Sequence, residues 1–287
     1  MRAKTVSRLT FQRPLGSGAA GALALLALAA TGCPAGGVRR SPLQPTVGLD
    51  GSSSDVTFLP PYVCSGSISD LNCAAPFIPP ADGHVTDFGM REWSSGSGKW
   101  CNGGGMHGSI FSFKGNGAND SNGISVNTDD ASLHLTLTVS NGSYGGGGLA
   151  FEAGCVDASA FDGVQFSVSV ASGSLTGCTY QMQLQTFEQR PLQQSPPGAC
   201  DMNTASCYNF PSATGLPAPS TDPANPTLVM IPFSSFSAAR MFPTPTELVG
   251  FQWQVNSSSG QCTVELRIDD VAFIPAAAPP TDAGAAD

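Results

Sequence analysis

Residues 133–139 read LHLTLTV, with Leu133, Leu135, Leu137 and Val139 alternating against His134, Thr136 and Thr138. A period of two sends one set of side chains into a core and the other into water. The same period recurs in SIFSF (109–113), VQFSVSV (164–170), YQMQLQ (180–185) and FQWQV (251–255). GGLAFEA around Leu149, TLVMIPF around Val229 and CTVELRIDDVAF (262–273) add further strands, and helical periodicity is nearly absent. Eight or more short strands joined by Gly, Asn and Ser turns predict an all-β, two-sheet antiparallel β-sandwich. Clean alternation means that each sheet has one dry and one wet face.

One strand breaks its own rule. Val264, Leu266 and Ile268 alternate with Glu265, Arg267 and Asp269, and the next inward position is Asp270. The apolar series then resumes out of step at Val271 and Phe273. One inserted residue, a β-bulge, accounts for the slip and re-aims its neighbours.

The first 32 residues carry an export signal. Arg2, Lys4, Arg8 and Arg13 form a basic start, and residues 19–30 are a small, apolar run. That run has secretory length and is too short for a bilayer, which needs roughly 20 residues. LAATGC, ending at Cys33, resembles a bacterial lipobox, with Ala30 where Leu is preferred. Cys33 is therefore the expected lipidation site, and the chain is expected at the outer membrane or cell surface. An ordinary signal cut nearby is the alternative. Residues 33–81, rich in Pro, Gly and Ser, are the expected tether; 82–275 the folded domain; and 276–287 a disordered tail. Residues 191–226 form a long loop within that domain.

Removing residues 1–32 takes away four basic and no acidic residues, so the net charge of −9 becomes more negative still. Nucleic acid and anionic lipid surfaces need a positive footprint and are not expected partners. Any membrane contact is expected through the lipid alone.

Nine cysteines leave one unpaired in an exported chain, and a lipidated Cys33 accounts for it. Cys64, Cys73, Cys101, Cys155, Cys178, Cys200, Cys207 and Cys262 are the disulfide candidates. Spacing suggests Cys64–Cys73 and Cys200–Cys207 as short loops and Cys178–Cys262 as a staple between neighbouring strands, with Cys101 and Cys155 left over. The sequence does not fix this connectivity. A zinc site is disfavoured, because no C-x-x-C occurs and the spacings are irregular.

Five segments occur in an order that resembles galactose-binding-like β-jelly-roll domains, which include many carbohydrate-binding modules. They are VTDFGM, GGLAFEAGCVDASAFDGVQFSV, TLVMIPFSSFS, ELVGFQWQV and CTVELRIDDVAF. Asp157, Ser159, Phe161, Gly163 and Phe166 carry one motif, and Ile231, Pro232, Phe233, Ser234 and Phe236 another. The resemblance spans the folded domain and implies a jelly roll, binding of polysaccharide and a structural Ca²⁺. Its ligands would be Asp269 or Asp270 with Asp87. Without metal, Asp269 would be solvated and Asp270 would cap backbone N–H groups.

Sugar binding needs aromatic platforms and planar polar groups. Trp93, Trp100 and Tyr144 lie in Gly-rich segments and are the candidate platforms, with Arg91, Glu92 and Gln185 as polar contacts. The alternative for the two Trp residues is a partly buried lid at the sandwich end. Outward Gln rows of YQMQLQ and FQWQ would line a concave sheet, and Trp253 belongs to the core. GNGANDSNG (115–123) lacks the Lys of a P-loop and the terminal Glu of an EF-hand, so a turn is expected.

Catalytic patterns are missing. The chain has no G-x-S-x-G, no H-E-x-x-H and no E-x-D-x-x-E. The expected function is non-catalytic binding of extracellular polysaccharide by an envelope-tethered lipoprotein. The alternative is a structural or protein-interaction lipoprotein of the envelope, which would bury Trp93 and Trp100 and order the long loop against a partner.

Overall fold

A computed structural model describes Tyr62, Leu71 and residues 73–94, 98–203, 207–237 and 245–277. The expected signal peptide, Cys33, Cys64 and most of the tether and tail lie outside the described residues.

The strands are β1 (His84–Thr86), β2 (Trp93–Ser94), β3 (Lys99–Cys101), β4 (His107–Lys114), β5 (Ser121–Asn127), β6 (Ser132–Val139), β7 (Tyr144–Phe151), β8 (Phe161–Ser174), β9 (Cys178–Thr186), β10 (Ser212–Ala213), β11 (Thr227–Pro232), β12 (Leu248–Ser257) and β13 (Cys262–Pro275). Among the described residues there is no α-helix, only two 3-10 turns at Phe187–Gln189 and Phe233–Ser235. The strands pair antiparallel in two sheets. One has seven strands in the order β10-β9-β12-β7-β4-β3-β2; the other has six, β11-β8-β13-β6-β5 with β1 added beside β13. This is the all-β, two-sheet architecture that the alternation predicts.

The inward sets meet between the sheets. Leu133, Leu135 and Leu137 of β6, Phe166 and Val168 of β8, and Leu266 and Ile268 of β13 are fully buried. They face Met182 and Leu184 of β9 and Phe251, Trp253 and Val255 of β12. Trp253 meets Phe166 edge-on at 5.5 Å, so its core assignment holds. Each such side chain contributes roughly 1.5–3 kcal/mol of burial.

The slip in β13 is a bulge. Asp269 pairs with Ser167 and Ala272 with Gln165, so β13 carries one residue more than β8 across that interval. Asp270 is the one turned out of register, at φ 50°, a left-handed conformation that Asp tolerates better than most residues. The bulge has a topological cause. β6 pairs with β13 only as far as Ile268, and β1 takes over from Val271. After the extra residue, Val271 and Phe273 return to the core. The expected roles of the two carboxylates are exchanged. Asp270 is exposed, whereas Asp269 is partly buried and accepts the N–H of Asp270 at 2.7 Å.

Three disulfides are described: Cys73–Cys155, Cys178–Cys262 and Cys200–Cys207. Cys101 is also disulfide-bonded. The expected pairs Cys64–Cys73 and Cys101–Cys155 are therefore corrected. Spacing favoured a local loop, but Phe77 pairs with Val156 and brings Cys73 back across the body. Packing thus begins before residue 82, since Leu71 also packs with Cys155 and Val249. Cys178–Cys262 occurs, but it joins β9 and β13, which belong to different sheets, so it staples the sandwich and not two neighbouring strands.

Residues 115–120 of GNGANDSNG are a turn, and Ser121–Gly123 already belong to β5. Asp120 accepts from Gly117 N (2.7 Å), Ser140 N (2.8 Å) and the Ser143 hydroxyl, tying the β4–β5 turn to the β6–β7 turn. Those bonds, that of Ser143 first, hold its carboxyl down at about 2.

Candidate functional site

The outer face of the seven-stranded sheet is a cleft of about 700 Å³, built from register. β4, β7, β12 and β9 lie side by side, and their outward residues fall into cross-strand rows. Phe113 lies opposite Gly146, which lies opposite Gln254. The next row runs Phe111, Gly148, Gln252 and Gln183, and the one after it Ser109, Ala150, Gly250 and Gln185. The rows make a trough. Its floor is the Gly146–Gly148–Ala150 line, one bank is aromatic and the other is amide.

The glycines are needed for this shape. A Cβ at Gly146 would meet the Phe113 ring and the Trp253 carbonyl, and one at Gly148 would meet the Phe251 carbonyl and Gln252. Between them Gly147 faces the core side chains Ile124 and Leu135. The Gly run of β7 thus lets side chains of both faces close over one central strand.

The amide bank is a ladder. Gln185 donates to Gln252 at 2.8 Å, and Gln252 donates to Gln183. All three are largely buried. Buried amides without partners are costly, so mutual bonding holds them in place. Each amide has two donors and two acceptor sites, so the ladder keeps hydrogen-bonding capacity for a ligand. At one end Lys99 pairs with Glu152 at 2.8 Å. Tyr144, at the start of β7, is exposed beside Phe113, with ring centroids 6.3 Å apart.

Of the sequence candidates, Gln185 and Tyr144 line this cleft, and Arg91, Trp93 and Trp100 do not. Trp100 is fully buried and meets Phe151 edge-on at 6.1 Å, so it is a core residue and not a platform. Trp93 is half-buried; it pairs with Trp100 across β2–β3 and packs on the core. The Gly-rich surroundings suggested loops, but the two Trp residues form an edge hairpin that turns inward. The guanidinium of Arg91 sits over the Tyr62 ring at 4.5 Å. Glu92 is buried and binds His84 Nε2 (2.8 Å) and Asp87 N (3.0 Å), an architectural role.

Phe111, Phe113 and Tyr208 were missed. SIFSF has apolar residues on both faces, so alternation did not show which pair looks outward. The Gln rows were legible as outward amides on a concave sheet.

A calcium shell takes six to eight oxygens, so the bulge carboxylates and Asp87 would need backbone carbonyls to complete one. Among the described residues, no three His, Cys, Asp or Glu side chains are placed to hold a metal ion. Asp87 Oδ1 accepts from Gly89 N at 2.9 Å, and Asp269 Oδ1 is taken by Asp270 N. Burial, then the charge of Asp270, with Asp87 and Asp130 adding less, pushes the Asp269 carboxyl up to about 8. The folded state therefore holds a proton that the unfolded chain releases near pH 4. Stability falls as pH rises between those values, by at most about 1.4 kcal/mol per unit. Asp269→Asn is expected to flatten that fall in EDTA, with a gap of roughly a few kcal/mol at pH 8 that closes as the pH falls below about 4. Thermal melts across pH check this. A wild-type melt at pH 8 that rises sharply with added calcium would contradict it and assign the pair to a metal.

No family model and no curated protein matches the chain. Solved structures similar to it include two structures of family 11 carbohydrate-binding modules from Clostridium thermocellum. One is in complex with a β-1,3-1,4-mixed-linked tetrasaccharide: 15% identity, 58% of this chain, 89% of that chain, TM-score 0.39. The other belongs to the cellulosomal cellulase Lic26A-Cel5E: 14% identity, 60% and 91% covered, TM-score 0.41. A third is SGBP-B from a xyloglucan utilization locus in Bacteroides uniformis: 13% identity, 69% and 51% covered, TM-score 0.35. The protein is a two-sheet antiparallel β-sandwich. At these TM-scores no residue's role carries over from those structures.

Proposed function

We propose that the protein binds polysaccharide in the cleft of the seven-stranded sheet, without cleaving it. The observation that carries this is the trough itself. An aromatic bank of Phe111 and Phe113 faces a bank of bonded amides, Gln183, Gln185, Gln252 and Gln254, across a floor without large side chains. Sugar rings present apolar faces to aromatics and hydroxyls to amides, so both banks match one ligand class. Among the described residues lining the cleft, Glu152 is the sole carboxylate, and it is paired with Lys99. Hydrolysis by paired carboxylates needs two across the scissile bond.

The disulfides fit an oxidising compartment and support export. Lipidation at Cys33 and attachment to the envelope belong to the same proposal and rest on the leader sequence.

Burial of Trp100 is what a protein-interaction lipoprotein would also show. The cleft supplies a separate aromatic set, and that favours glycan. Affinity electrophoresis of the full, oxidised chain through gels containing mixed-linkage β-glucan, xyloglucan or other polysaccharides tests the proposal. Retardation by at least one glycan, with no release of reducing sugar, is expected. Free migration in every gel would shift the function to protein interaction, and reducing-sugar release would make the protein an enzyme.

A further inference from the structure

The chain leaves the sheet after Thr186 and returns at Ser212, and the described part of this excursion forms an arm along the cleft. Its base is held by backbone bonds: Ala199 N to Phe187 O (3.0 Å), Cys200 N to Arg190 O (2.9 Å), Leu192 N to Cys200 O (2.8 Å) and Tyr208 N to Gln189 O (3.0 Å). The Arg190 side chain donates to Pro196 O at 2.8 Å and adds a second tie. The Cys200–Cys207 disulfide closes the arm one residue before Tyr208.

Tyr208 is the exposed residue that this frame holds. Its φ of 64° is uncommon for a bulky side chain and persists only where the surroundings impose it. Gln194 Nε2 donates to its hydroxyl at 3.0 Å, and its ring meets the buried Phe210 edge-on at 6.1 Å. Tyr208, Gln194 and Arg190 all line the cleft. Of the eight exposed large hydrophobic residues described, three (Leu192, Met202 and Tyr208) lie on the arm, so apolar surface is concentrated there.

The placement is diagonal. Tyr144 begins β7, and the Gln185 row lies six residues further along that strand, at Ala150, roughly 20 Å away at 3.4 Å per residue. The arm springs from the end of β9 just beyond Gln185. A ligand running the length of the trough from Tyr144 would meet Tyr208 as it leaves.

We propose that Tyr208 is a second aromatic platform for the glycan chain, held over the cleft by the Cys200–Cys207 arm, and that the arm sets affinity for longer chains. This rests on glycan binding in the cleft.

The test compares full-length, oxidised wild type with Tyr208→Ala, Tyr208→Phe and the double variant Cys200→Ser/Cys207→Ser. Dissociation constants for mixed-linkage β-glucan and xyloglucan are measured by affinity electrophoresis, and the thermal midpoint serves as the folding control. Tyr208→Ala is expected to weaken binding about tenfold. Tyr208→Phe keeps the ring and should stay within about twofold. The double variant should fold and bind several-fold more weakly. Wild-type binding that survives Tyr208→Ala unchanged overturns this inference alone. Loss of binding in Tyr208→Phe equal to that in Tyr208→Ala also overturns it, since a hydroxyl and not a ring would then be recognised. No binding by wild type to any polysaccharide overturns the functional proposal, and this inference with it.

Discussion

Phe111→Ala is expected to weaken glycan binding by about 10- to 100-fold while moving the thermal midpoint by only a few degrees. Phe111 stands on the outer face of β4, opposite Gly148, and the next residue across is Gln252. It therefore faces the ladder across a gap one strand wide. Removing a central aromatic anchor from a binding surface commonly costs 2 kcal/mol or more, and each 1.4 kcal/mol is about tenfold in affinity. The ring is half-buried and lies on the outer face, so its loss opens no core cavity. Titration with the best-retarded glycan, paired with a thermal melt, separates the two effects. Unchanged affinity would move the ligand off this bank of the trough.

Trp100→Ala is expected to do the opposite. The indole is fully buried against Phe151, and Phe151 in turn meets Phe251 edge-on at 5.0 Å. Truncating it leaves a cavity in the core and costs about 3–5 kcal/mol. For a domain of this size that lowers the thermal midpoint by about 10 °C or more. Any loss of glycan binding should follow the unfolded fraction and disappear at temperatures where the variant is folded. A stable Trp100→Ala variant that has lost binding would instead restore Trp100 as a platform.

The two-sheet fold was legible because the central strands β6, β8, β9, β12 and β13 obey one rule over five or more residues. Leu133, Leu135 and Leu137 all point inward, and so do Phe251, Trp253 and Val255. The bulge was legible for the same reason, since a departure stands out only against a regular background. Its cause was not, because the handover from β6 to β1 is a long-range pairing that no local pattern encodes. The cleft was half legible. Gln183, Gln185, Gln252 and Gln254 show as outward amides in two strands, but nothing local says that β7 will lie beside β12 with its glycines in register.

The Trp100 assignment failed for a related reason. Gly-rich sequence marks backbone freedom, which a tight edge hairpin uses as readily as an open loop. The disulfides failed where spacing was the only guide. Cys73 reaches Cys155 across a separation of 82 residues because the segment before β1 folds back onto the body.

Side-chain amide resonances give the most direct localisation of the ligand. Gln183, Gln185, Gln252 and Gln254 each carry an NH₂ group at the cleft, and Gln194 carries one on its arm. Titration of the oxidised protein with an oligosaccharide of the best-retarded glycan, followed by ¹⁵N-detected NMR, should shift these five amides together. Residues around the Asp269–Asp270 bulge on the other sheet should stay still. Shifts confined to Arg91 and Trp93, or to the bulge, would contradict glycan binding in the seven-stranded sheet's cleft.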